Sequence, residues 1–290
     1  MELLVTLRNT KDIEKIKNAC DGFVVGSLFT SGYHFSVNDI KNISDYCKEN
    51  NVKLYIAIDN FISEDDKIQL LNYLDFINSL NIEGIYFHDL GVYDAAKTLG
   101  IETKLIYDGQ TVVCNSLDVN FYISKGIDSI VLSRELMLSE VTGIVKNNPQ
   151  CCDLMIFGHP RMSYSKRKFL TNYFKQIGTE YDFLNKESLY LIEEKRDYKM
   201  PIIEDNDGTK IYTDYVYQMY KELPNLRQYI KRGIIDTLFI DDERIPTVLR
   251  DLKRITNENA SFLYDNLVSK YPDNYSTGYL YQKTNITKDE

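Results

Sequence analysis

Eight short runs rich in Val, Ile, Leu, Tyr and Phe alternate with helical patterns along almost the whole chain. This alternation restricts the fold more than any other feature. The runs are Leu3–Leu7, Gly22–Ser27, Lys53–Ile58, Gly84–Phe87, Lys104–Tyr107, Ser129–Leu132, Asp153–Phe157 and Asp236–Ile240. Most are near-continuously apolar, as parallel strands covered on both faces must be; a strand with one wet face would alternate. Their starts recur at the period of about 20 to 30 residues that a βα unit needs. Eight such units in 290 residues point to a (β/α)8 TIM-like barrel, one domain over residues 1–290. An open doubly wound sheet is the alternative, but no G-x-G-x-x-G follows the first run.

Helix ends are legible between the runs. Ser63 precedes Glu64, Asp65 and Asp66, a cap followed by acids that complement the helix dipole, and Ile68, Leu71, Leu74 and Ile77 recur at helical spacing. Asn38 opens another helix with Ile40, Ile43 and Cys47 on one face. Gly84, Gly100, Gly126 and Gly233 fall where helices leave toward the next strand, positions suited to a left-handed exit. The period breaks once. Asp153 and Asp236 lie 83 positions apart, roughly 50 more than one ordinary unit takes. The extra segment, 161–213, reads in its latter part as β structure with a hairpin turn at Asp205-Asn206-Asp207-Gly208. That places a β-containing insertion after strand seven, at the C-terminal rim. Asn257 to Asn266 continues or follows the last helix, and 275–290 reads as a polar tail.

Composition narrows the class of function. With 43 acids and 34 bases the formal charge is −9, so the isolated chain repels polyanions on average. Five cysteines, without a C-x-x-C, read as reduced thiols, not a disulfide frame or a metal site. The N-terminus stops being apolar too early for a signal peptide, and the uncharged stretch from Gly22 to Asn38 is too polar to span a membrane. A cytoplasmic protein with no membrane contact is expected.

In barrels the working residues sit where the strands end. Here those ends carry Asp59-Asn60, His88-Asp89, Asp108, Ser133-Arg134-Glu135, Gly158-His159-Pro160-Arg161 and Asp241-Asp242-Glu243, and all three histidines (34, 88 and 159) follow strands. The candidate catalytic residues are therefore His159, Arg134, Glu135 and Asp108. Candidate substrate contacts are Asp59, His88 and a basic cluster of Arg161, Lys166, Arg167 and Lys168 interleaved with Tyr164 and Phe169. Plainer readings stand beside these. Asp59 and Asp108 fit helix caps as well as bases, Arg134 and Glu135 fit a rim ion pair, and the basic cluster fits a solvated helix start. No H-x-H, H-E-x-x-H or cysteine cluster supports a metal, and Ser163-Tyr164-Ser165 is not G-x-S-x-G.

Several of these segments resemble one family. Val131-Leu132-Ser133-Arg134-Glu135-Leu136 with Leu138-Ser139-Glu140-Val141 is similar to the "vLaREls-x-eE-i" stretch of the collagenase-like peptidase family U32. So are Gly158-His159 leading into Ser163-Tyr164-Ser165-Lys166-Arg167-Lys168 and Asn172-Tyr173, the segment His88-Asp89-Leu90-Gly91-Val92, and Ser276-Thr277-Gly278-Tyr279-Leu280. The resemblance covers essentially the whole chain in order.

What it implies is twofold. The family is named for proteolysis, yet many members resemble RNA hydroxylases acting on the transfer-RNA wobble uridine or a ribosomal cytidine, and others act in quinone hydroxylation. Those members carry four cysteines after strand seven as ligands of a four-iron four-sulfur cluster. Here Arg161 and Lys168 stand where the family has cysteines flanking Ser-Tyr-Ser, and no cysteine follows Cys152. The chain is thus expected to bind no cluster, and no other cofactor. It resembles the short, cysteine-poor paralogue that works beside a longer, cluster-bearing partner, reaching RNA through that partner. The expected role is a subunit or accessory factor of wobble-uridine 5-hydroxylation. A collagenase-like peptidase and a non-catalytic binding scaffold are the alternatives.

Overall fold

Parallel pairing closes a ring. The computed structural model describes residues 1–282 except Asp12, Tyr33, His34, Lys195 and Arg196; His34 and the end of the tail therefore lie outside the described residues. Eight strands, β1 (Glu2–Thr6), β2 (Gly22–Gly26), β3 (Lys53–Ile58), β4 (Gly84–Phe87), β5 (Lys104–Asp108), β6 (Ser129–Val131), β7 (Cys152–Gly158) and β13 (Arg232–Ile235), pair in that order. β13 then pairs with both β7 and β1, so these eight strands form a closed ring. This is a TIM-like (β/α)8 barrel.

Alternation along each strand separates two cores. Leu4, Val24, Tyr55, Tyr86, Ile106 and Val131 point inward and pack on one another, while Leu3, Val5, Phe23, Val25, Leu54 and Ile56 pack outward against the helices. Those helices are α1 (Ile13–Ile16), α2 (Val37–Asn50), α3 (Lys67–Asn78), α4 (Leu90–Thr98), α5 (Ser116–Ser124), α6 (Leu138–Asn147), α8 (Leu223–Leu226), α9 (Ile245–Arg254) and α10 (Ala260–Lys270). Ser36 caps α2 in a reciprocal box with Asp39, and Ile40, Ile43 and Cys47 are buried beneath it. Ser63 caps a 3₁₀ turn (Glu64–Asp66) ahead of α3, whose buried face is Leu70, Tyr73, Leu74 and Ile77; Ile68 faces solvent. Gly100 and Gly126 are the left-handed exits expected, whereas Gly84 and Gly233 lie inside strands.

The barrel floor is polar. Arg232, 1% exposed, donates to Asp128 at 2.7 Å, Ser129 at 2.7 Å and Asp153 at 3.2 Å, and its guanidinium lies over the Tyr55 ring. Tyr86 also donates to Asp153, at 2.8 Å. The network fills the N-terminal end and leaves the opposite end for the site.

The eighth barrel strand is Arg232–Ile235, not Asp236–Ile240. The latter is the buried loop beyond it, with Phe239 at φ 63°. Between β7 and β13 the chain builds a second, antiparallel sheet from β8 (Arg161–Ser165), β9 (Tyr190–Ile192), β10 (Lys199–Asp205) and β11 (Gly208–Tyr212), ordered β8-β11-β10-β9. Helix α7 (Phe169–Ile177) connects β8 to β9 and buries no residue; its N-terminus is held by Glu204, whose carboxylate accepts from the N–H groups of Leu170 and Thr171. This sheet docks on the barrel through Ile203, Tyr212 and Leu238, and through Asn60, which donates to Asp207 at 2.8 Å. Finally β12 (Val216–Gln218) pairs antiparallel with the end of β7, and β14 (Tyr275–Ser276) pairs parallel with β12. Among the described residues no helix is long and apolar enough to cross a membrane.

Candidate functional site

Strand ends and the added sheet enclose a cavity at the C-terminal mouth, with an empty volume of about 850 Å³ counted to its opening. Two guanidinium–carboxylate pairs furnish it. Arg161, the first residue of β8, reaches Asp59 at the end of β3, and Arg134 after β6 reaches Asp108 at the end of β5, at 3.4 Å. Arg134 also donates to the Gln110 side chain, and the Gln110 N–H returns to Asp108 at 3.0 Å. Gln110 holds this position at φ 59°, a left-handed conformation for a residue with a Cβ, so the turn after β5 is strained at the site.

Burial pushes the Asp59 carboxyl up, with Asp108 adding to the rise, while Arg161 and Lys210 pull it back. The other N–H donors of Arg161 make no hydrogen bond to the described residues, so the guanidinium keeps donors for a ligand oxygen. His159 lines the same cavity. Its Nδ1 meets the Thr213 carbonyl at 2.9 Å, which fixes the proton there and leaves Nε2 as an acceptor. Desolvation lowers its pKa, keeping the ring neutral. The preceding Gly158 has φ 130°, and a Cβ there would lie 2.4 Å from the Asp236 carbonyl oxygen, so the chain passes His159 into the cavity only by way of glycine.

The structure thus brings Asp59, Asp108, Arg134, His159 and Arg161 together. His88 is next door, its Nδ1 on the Asp108 carbonyl at 2.8 Å, in a groove that adjoins the cavity. Glu135 is exposed and does not pair with Arg134. The basic cluster divides: Arg161 turns into the cavity, Lys166 pairs with Asp66 at 3.6 Å on the outside, Arg167 is exposed, and Lys168 precedes α7. Asp241-Asp242-Glu243 lie beyond the last strand; Asp236, which follows it directly and accepts from Leu238 N at 3.0 Å, lines the cavity instead. Gln110, Tyr212 and Asp236 were not singled out from the sequence. Only Asp236, immediately after a Gly-Ile-Ile run, carried a readable signal.

The thiols do not meet. Cys20, Cys47 and Cys152 are buried in the core, Cys151 immediately precedes β7 on the floor side, and Cys114 is exposed on the mouth side. Among the described residues no three His, Cys, Asp or Glu side chains form a group that could hold a metal ion. These residues do not fit a four-thiolate cluster.

Comparison with known proteins agrees with this architecture. The chain is 30% identical to tRNA hydroxylation protein P2 of Bacillus subtilis (strain 168) over 275 residues, covering 91% of this chain and 87% of that protein. It is 23% identical to tRNA hydroxylation protein P1 of the same organism over 180 residues, 59% of this chain and 42% of that one. It matches under half the length of the other curated relatives too. A solved structure described as the U32 peptidase Mk0906 superposes with a TM-score of 0.53 at 14% identity, covering 81% of this chain and 92% of that one, which speaks for the fold. The model described as Peptidase family U32 matches residues 23–290, and the chain belongs to that family.

Proposed function

We propose that this chain is a cytoplasmic subunit of a transfer-RNA hydroxylating system that acts on the wobble uridine, working with a longer U32 paralogue. The observation that carries the reading is the identity to tRNA hydroxylation protein P2, which runs over nine-tenths of the chain. The match to part of the longer P1 supports a two-chain arrangement. In this reading the partner supplies the redox centre that the scattered thiols here do not build, and much of the affinity for RNA that a chain of charge −9 lacks.

The role left to this chain is recognition. A uracil edge offers two carbonyl acceptors flanking an N–H donor, so it needs two protein donors around an acceptor. Arg134, Arg161 and the Gln110 amide supply donors; Asp59, Asp108 and the His159 Nε2 supply acceptors, all lining one cavity. A peptidase would need a nucleophile against its base. Neither His88 nor His159 is bonded to a serine or cysteine; the Nδ1 of each is taken by a backbone carbonyl.

The test is complementation. In cells lacking the native protein, the wild-type chain restores the hydroxylated wobble uridine, read by mass spectrometry of digested tRNA. Arg134→Ala folds but restores less than a tenth of it. Full restoration by Arg134→Ala, or an unmodified tRNA population in cells carrying the wild-type gene, overturns the reading.

A further inference from the structure

We propose that the groove beside the mouth stacks the base adjacent to the one held in the cavity, so that β8 tracks a short single strand of RNA. The inference rests on the functional reading above and adds a second nucleotide site to it.

Groove and cavity are continuous, since Gln110 and Arg161 line both. The cavity holds the two charged pairs, whereas the groove gathers Phe61, Leu90, Val112 and Met162, which are 44%, 52%, 59% and 60% exposed. Single exposed apolar residues are ordinary on a protein surface; four around one concavity mark a binding surface. One wall is aromatic. The Phe61 and Tyr164 rings stack on each other at 5.0 Å with 7° between their planes, and His88 packs 4.9 Å from Phe61. Arg161 and Lys210 sit over Tyr164 at 5.3 and 4.7 Å and hold that ring in place.

One strand orders these features. Along β8, Arg161 enters the cavity, Met162, Ser163 and Tyr164 line the groove, and Lys166 and Arg167 follow at the outer end. Cation, exposed apolar wall and cation in succession match phosphate, base and phosphate of a single strand. Charge complementarity favours RNA here, because this basic end stands out in an acidic chain. The open edge of β8 would suit an extended peptide instead, and the experiment separates the two.

Fluorescence anisotropy at low salt with a labelled seven-nucleotide uridine-containing RNA measures affinity of the full chain, alone and with its longer paralogue. Phe61→Ala and Met162→Ala, both at exposed positions and checked for unchanged melting, each weaken binding about tenfold. The loss disappears when the RNA carries an abasic site beside the central uridine, which ties the residues to that base. Affinity unchanged in both variants, equal losses on intact and abasic RNA, or no RNA binding by either preparation overturns the proposal. So does tighter binding of a collagen-derived peptide that Phe61→Ala abolishes. Loss of modification in Arg134→Ala with unchanged groove variants rejects the groove and leaves the function standing; base coupling at Phe61 with full modification in Arg134→Ala does the reverse.

Discussion

Arg161 meets Asp59 at 3.1 Å across 102 positions of sequence, and this contact clips the first strand of the added sheet to the end of a barrel strand. The Arg161 side chain is only 7% exposed. Removing its partner strands a charge, which costs about 3 kcal/mol where the site is dry. Asp59→Ala is therefore expected to destabilise strongly in urea, while Asp59→Ala with Arg161→Met recovers more than half of the loss. A single-variant cost within about 0.5 kcal/mol, the range of plain surface changes, would show the pair to be solvated.

The floor of the barrel makes the opposite separation. Arg232→Met leaves Asp128 and Asp153 without their shared cation and is expected to cost about 3–5 kcal/mol. Because the network lies at the far end from the mouth, the RNA affinity proposed above is expected to stay, per folded molecule, at the wild-type level. Denaturant titration paired with anisotropy on the same sample measures both.

Stability should also fall with mild acid through His159. Burial lowers its folded pKa, so the unfolded chain takes the proton first as pH drops. The contribution of the neutral ring is whole above the unfolded value near 6.5 and is lost as pH falls from there toward the lower folded value. His159→Asn flattens the melting temperature between pH 7.5 and 5.5; an identical slope in variant and wild type would assign the effect to other groups.

Helix α7 buries nothing, so it depends on its cap. Glu204 receives the Leu170 and Thr171 N–H groups and the Thr209 hydroxyl. Glu204→Gln removes the charge facing the helix dipole, an effect of about 1 kcal/mol. Hydrogen exchange of amides 169–177 should quicken several-fold while the barrel amides keep their protection. Uniform quickening over the whole chain would mean the added sheet and the barrel unfold as one unit.

The barrel was legible because strands covered on both faces are almost continuously apolar, and the polar residues that follow them stand out. The eighth strand was misread for a physical reason. Arg232 puts a buried charge inside the real strand, and Leu238 and Ile240 make the loop beyond it apolar through burial, not pairing. The basic cluster looked like one patch because sequence counts neighbours, while an extended strand carries five residues about 16 Å and turns alternate side chains apart. Tyr212 and Gln110 carried no signal. The first reaches the cavity from a different sheet, and the second depends on a strained turn.

The closing of the ring sets when the site can first exist during synthesis. β1 contributes Thr6 to the cavity, yet one of its two pairing partners is β13, some 230 positions later. Until Arg232–Ile235 leaves the ribosome, the first strand has an open edge and the mouth lacks the wall that Asp236 and Leu238 form. Translation thus completes the cavity last, and a half-made chain must rely on being kept from aggregation until the ring shuts.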